Sequence, residues 1–207
     1  MAKPSHREKI LTEGLKVVHE RGFAGASVRD IVHAAGVPQG SFTNHFVSKE
    51  AFGLEIIDLY FESTRQMVGQ TLLNRSLPPI ARVQTYVDFH THALESAVNK
   101  GCLFGNFTAE STEHSEPIRV RLAEIYDWLS DTVRGCLDEA IQAGDLPSDF
   151  NSRQAALFII ASVQGAVLLA KAQRHTAALE SFSMILATSV LRQAQAADAF
   201  VAGAEPE

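Results

Sequence analysis

The sequence predicts an all-α fold of about nine helices, three short ones forming an N-terminal helix-turn-helix head and the rest a larger helical body. Three observations carry this. Apolar residues recur at three- and four-residue spacing through almost the whole 207-residue chain, and no stretch keeps the two-residue alternation of a half-buried strand. Ser-x-x-acid pairs stand at the start of the first two helical stretches, as capping boxes do. Gly and Pro fall between the stretches, where helices stop and restart. A hydrophobic content of 46% is enough for one or two domains with a packed core.

The elements follow in order. Ser5 and Glu8 open the first helix, whose stripe is Leu11, Leu15 and Val18, and Gly22 ends it. Ser27 and Asp30 open a second, with Val28, Ile31, Val32 and Ala35 at i, i+3, i+4 and i+7, broken by Gly36. Pro38 suits the first turn of a third helix. Ser48 caps a longer fourth helix over roughly 49–74. Pro78 and Pro79 then restart a helix to about residue 98. "NKGCLFGNFTAESTEHSEP" is a shorter, Gly-interrupted helical stretch closed near Pro117. A long amphipathic helix covers 117–143 and stops at Gly144. Two strongly apolar helices, about 152–173 and 176–195, complete the body. The expected division is a head over 1–50, a body over 51–195 and a flexible tail over 196–207.

Composition narrows the possible functions. Two cysteines, Cys102 and Cys136, are too few for a disulfide framework, and no Cys/His cluster has zinc spacing. His90 and His92 lie on different helix sides, a poor metal pair, so neither metal nor cofactor is expected. No apolar run approaches the ~18 residues of a membrane span. The N-terminal "MAKPSHREKI" lacks an apolar signal core, so a soluble cytoplasmic protein is expected. The net charge of −6 argues against a general nucleic-acid coat. Its distribution is uneven: residues 1–50 carry seven Lys/Arg against five Asp/Glu, a formal +2, and the remainder is −8. A mildly basic head on an acidic body suits a local anionic partner for the head.

The stretch "GVPQGSFTNHF" defines that partner further. On a helix, Phe42 and Phe46 share one face, and Gly40 and Asn44 lie opposite, flanked by Ser41 and Thr43. Burying both rings turns Gly40, Ser41, Thr43 and Asn44 outward, with Gln39 at the N-terminal end. Small amide and hydroxyl groups of this kind read base edges and phosphates in a major groove, and Gly40 lets the backbone come close. An ordinary short helix with a polar outer side satisfies the same periodicity.

"SVRDIVHAAGVPQGSFTNHFVSKEAF" resembles the signature of the TetR family of transcriptional regulators. The matching steps are Gly36-Val37, Gly40-Ser41-Phe42, His45-Phe46 and Ser48-Lys49-Glu50, and the match spans about residues 7–56. The rest of the chain is similar in length and helical character. This resemblance implies phosphate contacts from Ser27, Val28 and Arg29, groove reading by Pro38, Gln39, Gly40, Ser41, Thr43, Asn44 and His45, and a phosphate partner for Lys49. Thr43 departs from the Tyr usual in the family, which puts the operator sequence in doubt rather than DNA binding itself. A single head of charge +2 binds weakly. Two heads on a dimer would reach two half-sites of a pseudo-palindromic operator.

The last two helices are the candidate dimer interface, through Phe158, Ala161, Gly165, Leu168, Ile185 and Leu191. They are apolar on nearly every side, which a monomer core would also explain. The resemblance further implies a ligand pocket in the body, with Phe61, Tyr86, Phe89, His90, Phe104, Phe107, Tyr126 and Trp128 as candidates, although core packing accounts for each of them. "GCL" at Cys102 and "LLAKAQ" around Lys171 are similar to a NemR-like branch of the family. That similarity implies a sensor thiol at Cys102 with Lys171 as its charge partner, against a plain buried cysteine; Cys136 reads as core. The function expected is a homodimeric repressor released from its operator by a small molecule or an electrophile, the signal passing along the fourth helix. The alternatives are a DNA-binding architectural or partner-binding protein without a ligand, and an enzyme using Cys102 as nucleophile with His90 as base. For that enzyme the sequence offers no third orienting group and no oxyanion motif.

Overall fold

The computed structural model describes residues 5–95 and 97–191. Those residues form nine α-helices with no strand among them. They divide into two compact units: one gathers residues up to Arg65 with Asn99–Ile125, the other gathers Gln66–Val98 with the residues from Tyr126 onward.

The first unit opens with α1 (His6–Arg21). The Ser5 hydroxyl accepts from the Glu8 amide at 3.2 Å and the Glu8 carboxylate accepts from the Ser5 amide at 2.7 Å, closing the expected capping box. Gly22, at φ +80°, ends the helix. Helix α2 (Val28–Ala34) starts on the same device built from Ser27 and Asp30. Gly36, at φ +61°, turns the chain into α3 (Gly40–His45). The Ser48 hydroxyl accepts from the Ala51 amide at 2.9 Å at the start of α4 (Lys49–Gln70). Phe42, Phe46 and Phe52 pack ring on ring, with centroids 5.1–5.3 Å apart, and Ile10, Ile31 and Ile56 are fully buried in the same unit.

Helix α6 (Leu103–Ser111) and the first part of α7 (Glu116–Gln142) also belong to this unit. This unit therefore draws on residues well beyond Arg65 in the chain. The reason is local: Phe107 packs 4.8 Å from Phe23, and the Glu110 carboxylate accepts from the Ala24 amide at 2.9 Å. In addition, the His19 ring bonds the Gly101 carbonyl at 2.9 Å.

The second unit holds α5 (Pro79–Glu95), the remainder of α7, α8 (Ser152–Gln173) and α9 (Ala177–Ile185), which runs into a π-helical turn over Leu186–Val190. Helix α8 matches its expected span. Helix α4 stops four residues early. The Leu72 carbonyl, outside the helix, accepts from the Arg82 guanidinium at 3.2 Å and from the Cys136 thiol at 3.0 Å. A tertiary partner thus takes the place of the next helical turn. Arg82 is buried and also pairs with Glu139. Residues 192–195 of the expected last helix, and the expected tail over 196–207, lie outside the described residues.

By length and composition α8 could cross a membrane, contrary to the expectation that no run approaches that length. Its inner face nonetheless carries Ile159, Val163 and Ala170 at 0% exposure in a packed core. Long apolar core helices pass the same test.

Gly14 lies against the ring cluster: a Cβ there would sit 2.6 Å from the Phe52 ring. That ring is fully buried and packs against the Phe42 and Phe46 rings. Gly14→Ala is therefore expected to destabilise the protein by about 1–2 kcal/mol, overpacking outweighing the helix-propensity gain. A urea melt checks this; a variant as stable as wild type, or more so, would contradict the packing.

Candidate nucleic-acid interface

Two phenylalanines orient α3. Phe42 and Phe46 are each 3% exposed, and their burial leaves Pro38, Gln39, Gly40, Thr43, Asn44 and His45 on the surface. A Cβ on Gly40 would meet nothing within 4 Å, so backbone there is open to a close approach. The Thr43 hydroxyl donates to the Gly40 carbonyl at 3.1 Å. That bond commits its proton within the helix and leaves an acceptor and a methyl group for any outside contact. At the start of α2, Ser27 and Arg29 are exposed and Val28 is half-buried. The Asp30 carboxyl, bonded by the Ser27 hydroxyl and amide and paired with Arg21 at 2.8 Å, is held below its usual pKa. Ten of the eleven expected contact residues thus lie on the surface or partly so, along α2, the turn, α3 and the start of α4.

Ser41 and Lys49 each reach a partner in a distant part of the chain. Ser41 is 8% exposed, and its hydroxyl lies 3.3 Å from Nδ1 of His6 in α1. The Lys49 ammonium donates to the Phe23 carbonyl at 2.6 Å, sits 4.7 Å over the Phe23 ring, and is attracted by Glu110. Partial burial is the larger influence on Lys49 and pushes its pKa down. In this geometry Lys49 clamps the α1–α2 turn. Periodicity could not show either effect, because both partners are remote in sequence.

The expected ligand residues fall in both units. In the first, Phe104 and Phe107 are core, Phe61 is half-buried beneath the Arg121 guanidinium, and Cys102 is half-buried at the N-cap of α6. In the second, Tyr86 is core, with the His90 ring 4.7 Å away. His90 keeps some accessible surface, yet enclosure of its ring dominates and pushes its pKa down. Phe89 is 41% exposed, Tyr126 and Lys171 are half-buried, and Trp128 lines a cleft of about 340 Å³.

Arg82, Thr132 and Glu139, which sequence reasoning passed over, line the same cleft, as does Cys136. The available signal was an arginine one residue from Val83 and four from Tyr86 on the buried side of α5. Such a charge requires a partner. Among the described residues, no group of three or more His, Cys, Asp and Glu is placed to hold a metal ion.

The last two helices carry an outward apolar face. Phe158 is 49% exposed, Leu168 67% and Ile185 50%, and Ala161 and Gly165 lie between them on the surface. Leu157, Leu169 and Met184 extend this face. Leu191, expected with them, is only 2% exposed and packs inward, because the π turn rotates it away from a regular helical continuation.

Comparison with known proteins agrees with this geometry. Residues 10–56 match the family of bacterial regulatory proteins of the tetR type, and residues 79–186 match the tetracyclin repressor-like C-terminal domain. The HTH-type transcriptional repressor DhaR of Mycobacterium sp. (strain GP1) is 35% identical over 191 residues, covering 92% of this chain and 95% of that protein. The crystal structure of regulatory protein TetR from Rhodobacter sphaeroides superposes with a TM-score of 0.81 at 27% identity, covering 86% of this chain and 95% of the other. The reduced form of Escherichia coli NemR gives 0.80 at 26% identity, covering 88% and 95%.

The Lys49 clamp is testable. Lys49→Met keeps the stem and removes the donors, so stability should fall by about 1 kcal/mol while the salt dependence of DNA binding stays unchanged. A salt slope shallower by about one unit, with stability intact, would place Lys49 on a phosphate instead.

Proposed function

The chain belongs to the TetR family of bacterial transcriptional regulators, and from that premise we propose that it is a cytoplasmic homodimeric repressor, released from a pseudo-palindromic operator by a small-molecule or electrophilic effector. The observation that carries the DNA-binding half is the anchored α3: two buried rings beneath a surface of Gln39, Gly40, Thr43, Asn44 and His45. Side chains of this size suit base edges, while Ser27 and Arg29 at the start of α2 suit flanking phosphates.

Dimerisation rests on the α8–α9 face. Contiguous exposed leucines, a phenylalanine and an isoleucine mark an association surface, and Ala161 and Gly165 permit close helix approach. Family members act as dimers, and a second copy is the occupant this surface fits. Each weak head would then be supplemented by its partner's.

Release rests on α6. Cys102 caps its N-terminus, and the helix is tied to the head through Gly101 with His19, Phe107 with Phe23, and Glu110 with Ala24. A modified thiol at the N-cap would push on α6 and hence on the α1–α2 turn that positions Ser27. Coupling of about 1–3 kcal/mol is the usual scale. The similar NemR structure is of a reduced form, which fits a thiol-based effector.

Footprinting of the DNA flanking the chain's own coding region tests the whole reading. Protection should appear with wild type, disappear after N-ethylmaleimide, and persist after the same treatment of Cys102→Ser. No protection by wild type removes the function, and equal release of both proteins removes the sensor. Separately, Leu168→Glu should sediment as a folded monomer and bind that DNA roughly 100-fold more weakly. A Leu168→Glu dimer of unchanged affinity would place the interface elsewhere.

A further inference from the structure

We infer that His6, at the first turn of α1, is a DNA-contacting residue that takes the place Ser41 was expected to fill. The inference rests on the DNA-binding reading above and extends it to a residue outside the 10–56 segment that the family pattern covers. On a helix turning ~100° per residue, Ser41 falls between Asn44 and His45, roughly 60° from one and 40° from the other. Both of those neighbours are exposed, whereas the buried arc of α3 is held by Phe42 and Phe46. Ser41 thus belongs to the outward arc by position, yet it is 8% exposed.

One neighbour of Ser41 comes from α1. His6 Nδ1 lies 3.3 Å from the Ser41 hydroxyl, and His6 itself is exposed. An exposed imidazole therefore stands beside the hydroxyl of the residue that falls between Asn44 and His45 on the helix. When the Ser41 hydroxyl donates to Nδ1, the neutral ring carries its proton on Nε2. That N–H is a donor on the edge away from Ser41, and a phosphate oxygen beside the groove is the acceptor it suits. Arg7, next in sequence, is committed elsewhere: it pairs with Glu55 and lies 5.7 Å over the Phe46 ring. Of this pair, His6 is the exposed residue that bonds the recognition helix.

The probe is a duplex carrying the site that wild type protects upstream of its own coding region. His6→Ala should bind it about 10- to 100-fold more weakly, the scale of one lost hydrogen bond to a charged group. His6→Gln, whose amide reaches to a similar distance as Nε2, should stay within about threefold. In phosphate-ethylation interference, His6→Ala should become indifferent to one phosphate per half-site that blocks wild type. That last readout does not move if His6 only supports the fold. An unchanged ethylation pattern, or His6→Ala within twofold of wild type, overturns the inference. Failure of wild type to bind any such duplex overturns the function instead.

Discussion

The stacked rings of Phe42, Phe46 and Phe52 are the constraint on which the DNA-binding surface depends. Helix α3 has six residues, far below the length at which a helix is stable alone. It begins at glycine, and its N-cap residue, Gln39, makes no side-chain capping bond. Its conformation is therefore supplied almost wholly by burial. Two aromatic side chains, each worth several kcal/mol on removal, hold a helix whose own propensity is slight. Because they sit four residues apart on one side, they also set its rotation, and with it the polar residues on the surface. Affinity for DNA is then a consequence of core packing: any change that loosens the rings moves Thr43 and Asn44 together.

Within the same unit, α6 extends this dependence. The head's α1–α2 turn is held by the Lys49 ammonium on the Phe23 carbonyl, the Glu110 carboxylate on the Ala24 amide, and the Phe107 ring against Phe23. Gly22 completes the arrangement, since a Cβ there would sit 2.5 Å from the Glu110 carboxylate. A turn fixed by two charged groups and a ring transmits displacement rather than absorbing it. Under the proposed function, these ties would give α6 a route to the head beside the α4 route that the sequence suggested.

Much of the fold was legible because its determinants are local. Ser5 with Glu8 and Ser27 with Asp30 became working capping boxes, Gly22 and Gly144 stand at positive φ after their helices, and α8 ran over its expected residues. The departures from the local pattern share one cause. Ser41, Lys49, Leu191 and the end of α4 were each decided by a partner or backbone change that no local pattern encodes: His6, the Phe23 carbonyl, a π turn, and the pair Arg82 and Cys136. For the candidate site, periodicity anticipated the exposed residues of α3 other than Ser41, whose hydroxyl lies beside His6 of α1. The body residues were named from a family resemblance and their aromatic character, and neither says which of them line a cavity.

The exposed face of α8 has an internal order that composition alone does not reveal. Leu157 and Leu169 stand six residues either side of Val163, Phe158 and Leu168 five, and Ala161 and Gly165 two. Large residues thus occupy both ends and small ones the middle, symmetrically about one level of the helix. Val163 itself points inward at 0% exposure. A two-fold interface requires that when one residue meets another, the reverse contact also occurs. On an antiparallel pair of such faces, Phe158 would meet Leu168 at both ends, and Ala161 would meet Gly165 twice at the crossing, where helices must come closest. In the proposed dimer, this order would place the crossing at the level of Val163.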